Sequence, residues 1–207
     1  MRPRRPQAGG AAPRGAGQVR IIGGRWRGSR LPVPAVEGLR PTGDRVRETL
    51  FNWLQAEVAG ASVLDLFAGS GALGLEAASR GAARVDLVEA DPLAAEALRL
   101  SVARLSAADA AHGGGGGVCV HAREALGFLN EAGRAGASWE LVFVDPPFAA
   151  GLVDAALAAL APRLAARAHV YVESAVDAAL TPPAGWALHR ELATREARAR
   201  LYRVDPP

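Results

Sequence analysis

The run Val63-Leu64-Asp65-Leu66-Phe67 leads without a break into Ala68-Gly69-Ser70-Gly71-Ala72-Leu73-Gly74, and no other stretch of the chain restricts its fold as much. An apolar strand that empties into closely spaced glycines and then a helical pattern is the opening unit of a strand–helix–strand layer. Glycine lets the backbone turn sharply there and approach a ligand closely. Downstream the chain keeps the same rhythm. Strands are predicted at 62–67, 84–89, 117–121, 140–145 and 168–173, with helical patterns at 71–80, 92–107, 123–133 and 151–165 between them. Such alternation predicts an α/β domain built on a parallel sheet covered on both faces. The tail breaks the rhythm: 186–191 and 199–204 read as two strands joined by a charged turn, antiparallel at the sheet edge.

Ahead of the sheet the composition changes. Residues 1–18 are Pro, Gly, Arg and Ala without periodicity, the signature of a disordered basic arm. A short β-hairpin is predicted over 18–31, turning at Gly23-Gly24 or Arg27-Gly28, and 32–38 reads as a loop. Thr42 or Asp44 can cap a helix that runs to about Glu57, with Val46, Leu50, Trp53 and Leu54 on one face. This gives three parts: the arm (1–18), an N-terminal extension (19–58) and the sheet domain (59–207). Gly113 to Gly117 reads as a flexible loop.

Charge separates the same parts. Every basic residue is Arg, and residues 1–47 hold 11 of the 24 against only Glu37 and Asp44. That is a net +9, which leaves −6 for the rest of a chain whose total is +3. A base-biased genome explains Arg in place of Lys but not the clustering. A basic head on an acidic body predicts contact with a polyanion.

Other classes are set aside by what the chain contains. No apolar run approaches the roughly 18–20 residues of a membrane span. The N-terminal arginines precede no apolar core, so no secretory signal is expected. A lone cysteine gives no internal disulfide framework, and a cytoplasmic protein is expected. Cys119, in the apolar run Val118-Cys119-Val120, reads as a buried structural thiol. His112, His121, His169 and His189 are scattered, and no metal is expected.

Gly69, Gly71 and Gly74 fit the G-x-G-x-x-G spacing, and Glu89 ends the next strand where a ribose hydroxyl would need an acceptor. By spacing alone, a nicotinamide-dinucleotide enzyme and a methyltransferase fit equally. Three features favour the second. A carboxylate at Asp65 is unwelcome beside a pyrophosphate but welcome beside an ammonium and a sulfonium. The strand Leu141-Val142-Phe143-Val144 ends in Asp145-Pro146-Pro147-Phe148, for which a dehydrogenase has no use. The basic head suits a polymer substrate. Each has a plainer reading too: Asp65 as a loop cap, Glu89 as a helix-end charge beside Asp91, and D-P-P as a turn. Asp205-Pro206-Pro207 repeats that tripeptide at the C-terminus, where there is no aromatic after it.

In D-P-P-F the carboxylate can accept a hydrogen bond from a base's exocyclic amine, and Pro146, lacking an N–H, leaves only a carbonyl acceptor. The Phe148 ring offers a stacking face, worth roughly 1–3 kcal/mol per base in nucleic-acid sites.

Five segments together carry a resemblance: RIIGGRWRGSRLPVP (20–34), GLRPTGDRVRETLFNWL (38–54), LDLFAGSGALGLEA (64–77), VFVDPPF (142–148) and YVES (171–174). They resemble the RsmD family of bacterial 16S ribosomal RNA guanine-N2 methyltransferases, over residues 19–204. The resemblance implies a Rossmann-like class I methyltransferase fold with a seven-stranded, mostly parallel sheet and an antiparallel edge strand. It also implies S-adenosylmethionine as cofactor and one guanine of 16S rRNA, or of the small ribosomal subunit, as substrate, with no membrane or metal partner. A monomer is expected. Implied cofactor contacts are Asp65, Phe67, Ala68, Gly69, Ser70, Gly71, Glu89 and Ala90. Glu124 and Ala125 stand where relatives usually carry Asp or Asn before Ala, and Thr42 and Arg47 come from the preceding block. Asp145, Pro146, Pro147 and Phe148 would form the catalytic loop. Arg20, Arg25, Trp26, Arg27, Arg30 and Arg40 are the candidate RNA contacts. The other readings at this point are a DNA adenine-N6 or other amino methyltransferase, a dinucleotide-dependent oxidoreductase, and a non-catalytic RNA-binding assembly factor.

Overall fold

The computed structural model describes residues 17–36, 42–110, 117–147, 152–195 and 197–204. Most of the predicted arm, Arg40, the five-glycine loop up to residue 116, Phe148 and the C-terminal D-P-P lie outside the described residues.

A two-stranded hairpin of β1 (Gln18–Arg20) and β2 (Arg30–Pro32) precedes α1 (Asp44–Trp53). The remaining strands are β3 (Ser62–Asp65), β4 (Arg84–Glu89), β5 (Gly117–Ala122), β6 (Trp139–Val144), β7 (Leu164–Ala175), β8 (Trp186–Ala193) and β9 (Ala197–Val204). They form one seven-stranded sheet in the order β5-β4-β3-β6-β7-β9-β8. The first five strands of that order pair in parallel, while β9 runs antiparallel to both β7 and β8. Helices α2 (Gly74–Ser79), α3 (Pro92–Ala110), α4 (Ala125–Arg134) and α5 (Leu152–Leu160) fill the crossovers.

Period-two alternation along the central strands splits the core in two. Leu141 and Phe143 of β6 face a layer with Leu75 of α2 and Leu98 of α3, whereas Val142 and Val144 face Phe128 and Leu129 of α4 and Leu157 of α5. Helix α1 adds Leu50, Phe51 and Leu54 to the first layer, so the extension and the sheet share a core. The Phe51 ring lies 5.9 Å from that of Phe143, which in turn lies 6.2 Å from Tyr171.

A buried ionic knot holds the extension down. Both oxygens of Glu76, a fully buried residue of α2, accept backbone N–H groups from the hairpin loop, Ile22 at 2.7 Å and Gly23 at 2.8 Å. Arg80 donates to the same carboxylate at 2.7 Å, and the buried Arg47 guanidinium lies 3.7 Å away.

Several expectations need correction. Neither Thr42 nor Asp44 caps α1: the N-cap is Gly43, without a side-chain bond, and Asp44 accepts from Arg47 Nη2 at 2.7 Å. Helix α2 starts at Gly74 rather than 71, because 69–73 are turns. Cys119 is exposed. β5 is the edge strand, and its Val118 and Val120 turn toward the core, which leaves Cys119 on the open side.

Candidate functional site

The C-terminal ends of β3, β4, β6 and β7, the start of α1 and the β8–β9 turn surround a cavity of about 1230 Å³. This is the edge at which open parallel sheets bind ligands, where the strand order reverses between β3 and β6. Of the sequence-predicted residues, Thr42, Asp65, Phe67, Ala68, Gly69, Ser70, Glu89, Ala90, Glu124, Ala125, Asp145, Pro146 and Pro147 all line it. Two do not. Gly71 lies buried beneath the loop with φ of +79°, where an added Cβ would meet Leu98 and Leu75 at 2.6 and 2.7 Å. Arg47 is fully buried and donates through Nε to the Thr42 carbonyl at 3.2 Å and through Nη2 to the Arg20 carbonyl at 2.9 Å. It thereby fixes the backbone at Thr42 from behind.

Asp65 sits at the end of β3, almost fully buried. Its Oδ2 accepts the Gly74 N–H at 2.9 Å, so the carboxylate itself occupies the start of α2. A side chain at Gly74 would have to displace its neighbours, since a Cβ would stand 2.2 Å from Leu87 Cδ2 of β4 and 3.0 Å from Asp65 Cβ. Among the described residues, Asp65 Oδ1 has no hydrogen-bond partner. Burial pushes the Asp65 carboxyl up to about 7, with the Glu89 charge adding to the rise and the Gly74 and Phe67 backbone amides opposing it.

Glu89, at the end of β4, is aimed by two backbone amides: Oε2 accepts Gly69 N–H and Oε1 accepts Asp91 N–H, each at 2.8 Å. The helix-end role belongs to Asp91, whose Oδ1 accepts the Leu93 and Ala94 N–H groups at 2.9 Å. Glu124 is the N-cap residue of α4 but makes no side-chain cap bond.

On the other side of the cavity, Thr42 Oγ1 donates to Asp145 Oδ2 at 2.8 Å across 103 residues of sequence. The Asp145 carboxyl is held well above the usual carboxylate range, by burial first and then by the charges of Glu173 and Asp65, while the Thr42 hydroxyl pulls it back. Glu173, from the YVES segment, lines the same cavity and accepts the Tyr171 hydroxyl at 2.9 Å. Burial and the charges of Glu173 and Asp145 keep that phenol protonated. The sequence assigned Glu173 no role, nor Arg123, Thr194 and Arg195, which also line the cavity.

The candidate RNA residues divide. Arg20, Arg25, Arg27 and Arg30 are exposed. Trp26 is only 4% exposed: its backbone N–H donates to Ser79 Oγ and its indole N–H to Asp109 Oδ1, both at 2.9 Å. It cannot stack on a base without unfolding the loop. Arg25 is tied to Asp109 at 2.9 Å and lies over the Trp26 ring. Among the described residues, no cluster of His, Cys, Asp or Glu could hold a metal ion, and no helix is long and apolar enough to cross a membrane.

Comparison with known proteins agrees with this architecture. The family model described as conserved hypothetical protein 95 matches residues 19–203. The chain is 48% identical over 194 residues to ribosomal RNA small subunit methyltransferase D of Escherichia coli K12, covering 92% of each chain. To the protein of the same name in Haemophilus influenzae it is 41% identical, over 92% of this chain and 96% of that one. The solved structure of yhhF from Escherichia coli superposes with a TM-score of 0.79 at 46% identity, covering 92% of this chain and 100% of that one. SMU.776, solved with SAH, shares only the fold, with a TM-score of 0.65 at 15% identity over 84% of this chain and 53% of that one. Matched nearly end to end by these relatives, the chain belongs to the ribosomal RNA small subunit methyltransferase D (RsmD) family.

Proposed function

We propose that this protein transfers a methyl group from S-adenosylmethionine to the exocyclic N2 amine of one guanine in small-subunit ribosomal RNA. The observation that carries the reading is a single cavity with a half-satisfied buried carboxylate at one end, Asp65, and Asp145-Pro146 at the other. When bound, S-adenosylmethionine supplies an electrophilic methyl carried on a sulfonium. The chain's residues fit that group. Asp65 Oδ1, an orphaned acceptor, suits the ammonium of the methionine moiety, and Glu89, held rigid by two amides, suits the ribose hydroxyls. Phe67, Ala68, Gly69 and Ser70 form the loop wall, and Ala90, Glu124 and Ala125 border the nucleoside end.

The guanine amine is a poor nucleophile because its lone pair is delocalised into the ring. Asp145 and the Pro146 carbonyl would each accept one N2 hydrogen, orienting the amine and favouring a pyramidal nitrogen as the new bond forms. A hydrogen bond to a charged acceptor is worth about 1.5–3 kcal/mol. Thr42 holds Asp145 in place, and Arg47 holds Thr42. With Trp26 buried, the RNA contacts among the described residues fall to the exposed Arg20, Arg25, Arg27 and Arg30. Replacing any one of these arginines that meets a phosphate should reduce the salt slope of binding by about 0.7–0.9.

A dinucleotide-dependent reading keeps only the glycine spacing in its favour. The amide that would meet a pyrophosphate, Gly74 N–H, is already bonded to Asp65, and that carboxylate would repel the phosphates. The deciding experiment is transfer of labelled methyl from S-adenosylmethionine to RNA and small ribosomal subunits from cells lacking the protein, followed by nucleoside mapping. A single N2-methylguanosine is expected. Label on another nucleoside, or on none, overturns the reading.

A further inference from the structure

Adjacent carboxylates are costly, and one acceptor beside the Pro146 carbonyl is enough to hold both hydrogens of an amine. The cavity nevertheless holds two. The β6–β7 register ends at Val144 with Val172, and Asp145 directly follows the one as Glu173 directly follows the other. Both line the cavity, and each acts on the other through its charge. Each is also oriented by a hydroxyl, Asp145 by Thr42 at 2.8 Å and Glu173 by Tyr171 at 2.9 Å. An ionised carboxylate offers about four acceptor positions, so one that already accepts a hydroxyl can also accept from a base.

We infer that Glu173 reads the N1–H of the target guanine while Asp145 holds its N2 amine, so that the paired carboxylates recognise the donor edge of that base. The inference rests on the guanine-N2 reading above and assigns the residue that makes it selective. Guanine alone among the common bases places a ring N–H donor next to an exocyclic amine. Adenine and cytosine put a ring nitrogen lone pair beside theirs. A second carboxylate therefore attracts guanine and repels the others, which gives selection through repulsion as well as attraction. A site built around a hydrogen bond also discriminates strongly when the partner is missing, because its buried polar group is then left unpaired.

The test uses RNA carrying 2-aminopurine at the methylated position. That base keeps the C2 amine but has a lone pair at N1. The wild-type protein should prefer guanine by roughly 100-fold or more in kcat/KM. Glu173→Gln presents an amide N–H to N1. It should lower kcat/KM on guanine by about 10- to 100-fold and contract the preference to within about 10-fold. The fluorescence of 2-aminopurine, which rises on unstacking, gives a readout independent of turnover: the Gln variant should capture this base better than wild type. If Glu173→Gln does not fold, Tyr171→Phe loosens the same carboxylate and should contract the preference partially. An equal loss on both bases, or no change on either, overturns the role of Glu173 while wild-type formation of N2-methylguanosine leaves the parent reading standing. Wild-type label on adenine or cytosine overturns both.

Discussion

The two ends of the cavity hold their carboxylates by different means. At the β3–β4 end, Asp65 and Glu89 are gripped by backbone amides of Gly74, Gly69 and Asp91, so their positions are as fixed as the main chain. At the β6–β7 end, Asp145 and Glu173 are held by the side-chain hydroxyls of Thr42 and Tyr171. Backbone-held acceptors suit a ligand that is the same at every turnover. Hydroxyl-held acceptors have donors that rotate, which suits the base that the proposed function would draw out of RNA and release. The contrast predicts that damage at each end affects a different step.

The largest effect should come at the hydroxyl-held end. Asp145→Ala should lower turnover by roughly 100- to 1000-fold, the range found when one preorganised transition-state hydrogen bond is removed. Cofactor affinity, measured by calorimetry, should stay within a few-fold of wild type. Near-normal methylation by the variant, or a large drop in cofactor affinity, would erase the distinction between the ends.

The backbone-held end should respond in binding rather than turnover. Asp65→Asn is expected to weaken S-adenosylmethionine binding by about 10- to 150-fold, the equivalent of one charged hydrogen bond. It should also flatten a pH dependence. The folded-state pKa of about 7 exceeds the ordinary 3.8, so the folded protein holds an extra proton between those values. This group's contribution to stability is therefore complete below the lower value and is lost as pH rises through the upper one. The cofactor ammonium proposed to sit beside Asp65 would favour the ionised form, so cofactor affinity should improve as pH rises through about 7, with release of a proton. Calorimetry in buffers of different ionisation enthalpy reads that proton directly. An unchanged pH profile in the Asn variant would place the proton elsewhere.

The same division explains what could be read from the chain alone. Asp65, the glycines and Glu89 fall on one strand–loop–helix–strand unit, where side chains close in sequence are also close in space. The inner strands were legible for the same reason, since apolar runs of β3, β4 and β6 need no partner to be recognised. Pairings across distance were not. Thr42 looked like a helix cap because nothing nearby in sequence shows that Asp145 stands opposite its hydroxyl. Trp26 read as an RNA contact among arginines because Ser79 and Asp109, which bury it, are 53 and 83 residues away. Cys119 looked buried because an apolar triplet does not reveal that its strand lies at the sheet edge. The start of α2 slipped by three residues because Asp65, nine residues upstream, takes the Gly74 amide.

The smallest expected effect is the most direct test of whether a hydroxyl tunes this site. Thr42→Val keeps the shape of the side chain and removes only the donor to Asp145 Oδ2. Because Thr42 orients Asp145 without touching the substrate, only part of that bond bears on the rate, and a loss of about 0.5–1.5 kcal/mol, or about 2- to 12-fold in kcat/KM, is expected. The variant also has a signature that misfolding would not produce. The Thr42 hydroxyl lowers a carboxyl that burial and the Glu173 charge have already raised, so its removal pushes Asp145 further up. In the proposed mechanism Asp145 accepts the amine hydrogen as an ionised carboxylate, so the rising limb of the pH–rate profile should move to higher pH in Thr42→Val. Arg47 holds the Thr42 carbonyl and not its side chain, which keeps the local backbone intact in the variant. A fall in rate without that alkaline shift would mean that Thr42 shapes the cavity wall and leaves the carboxylate untuned.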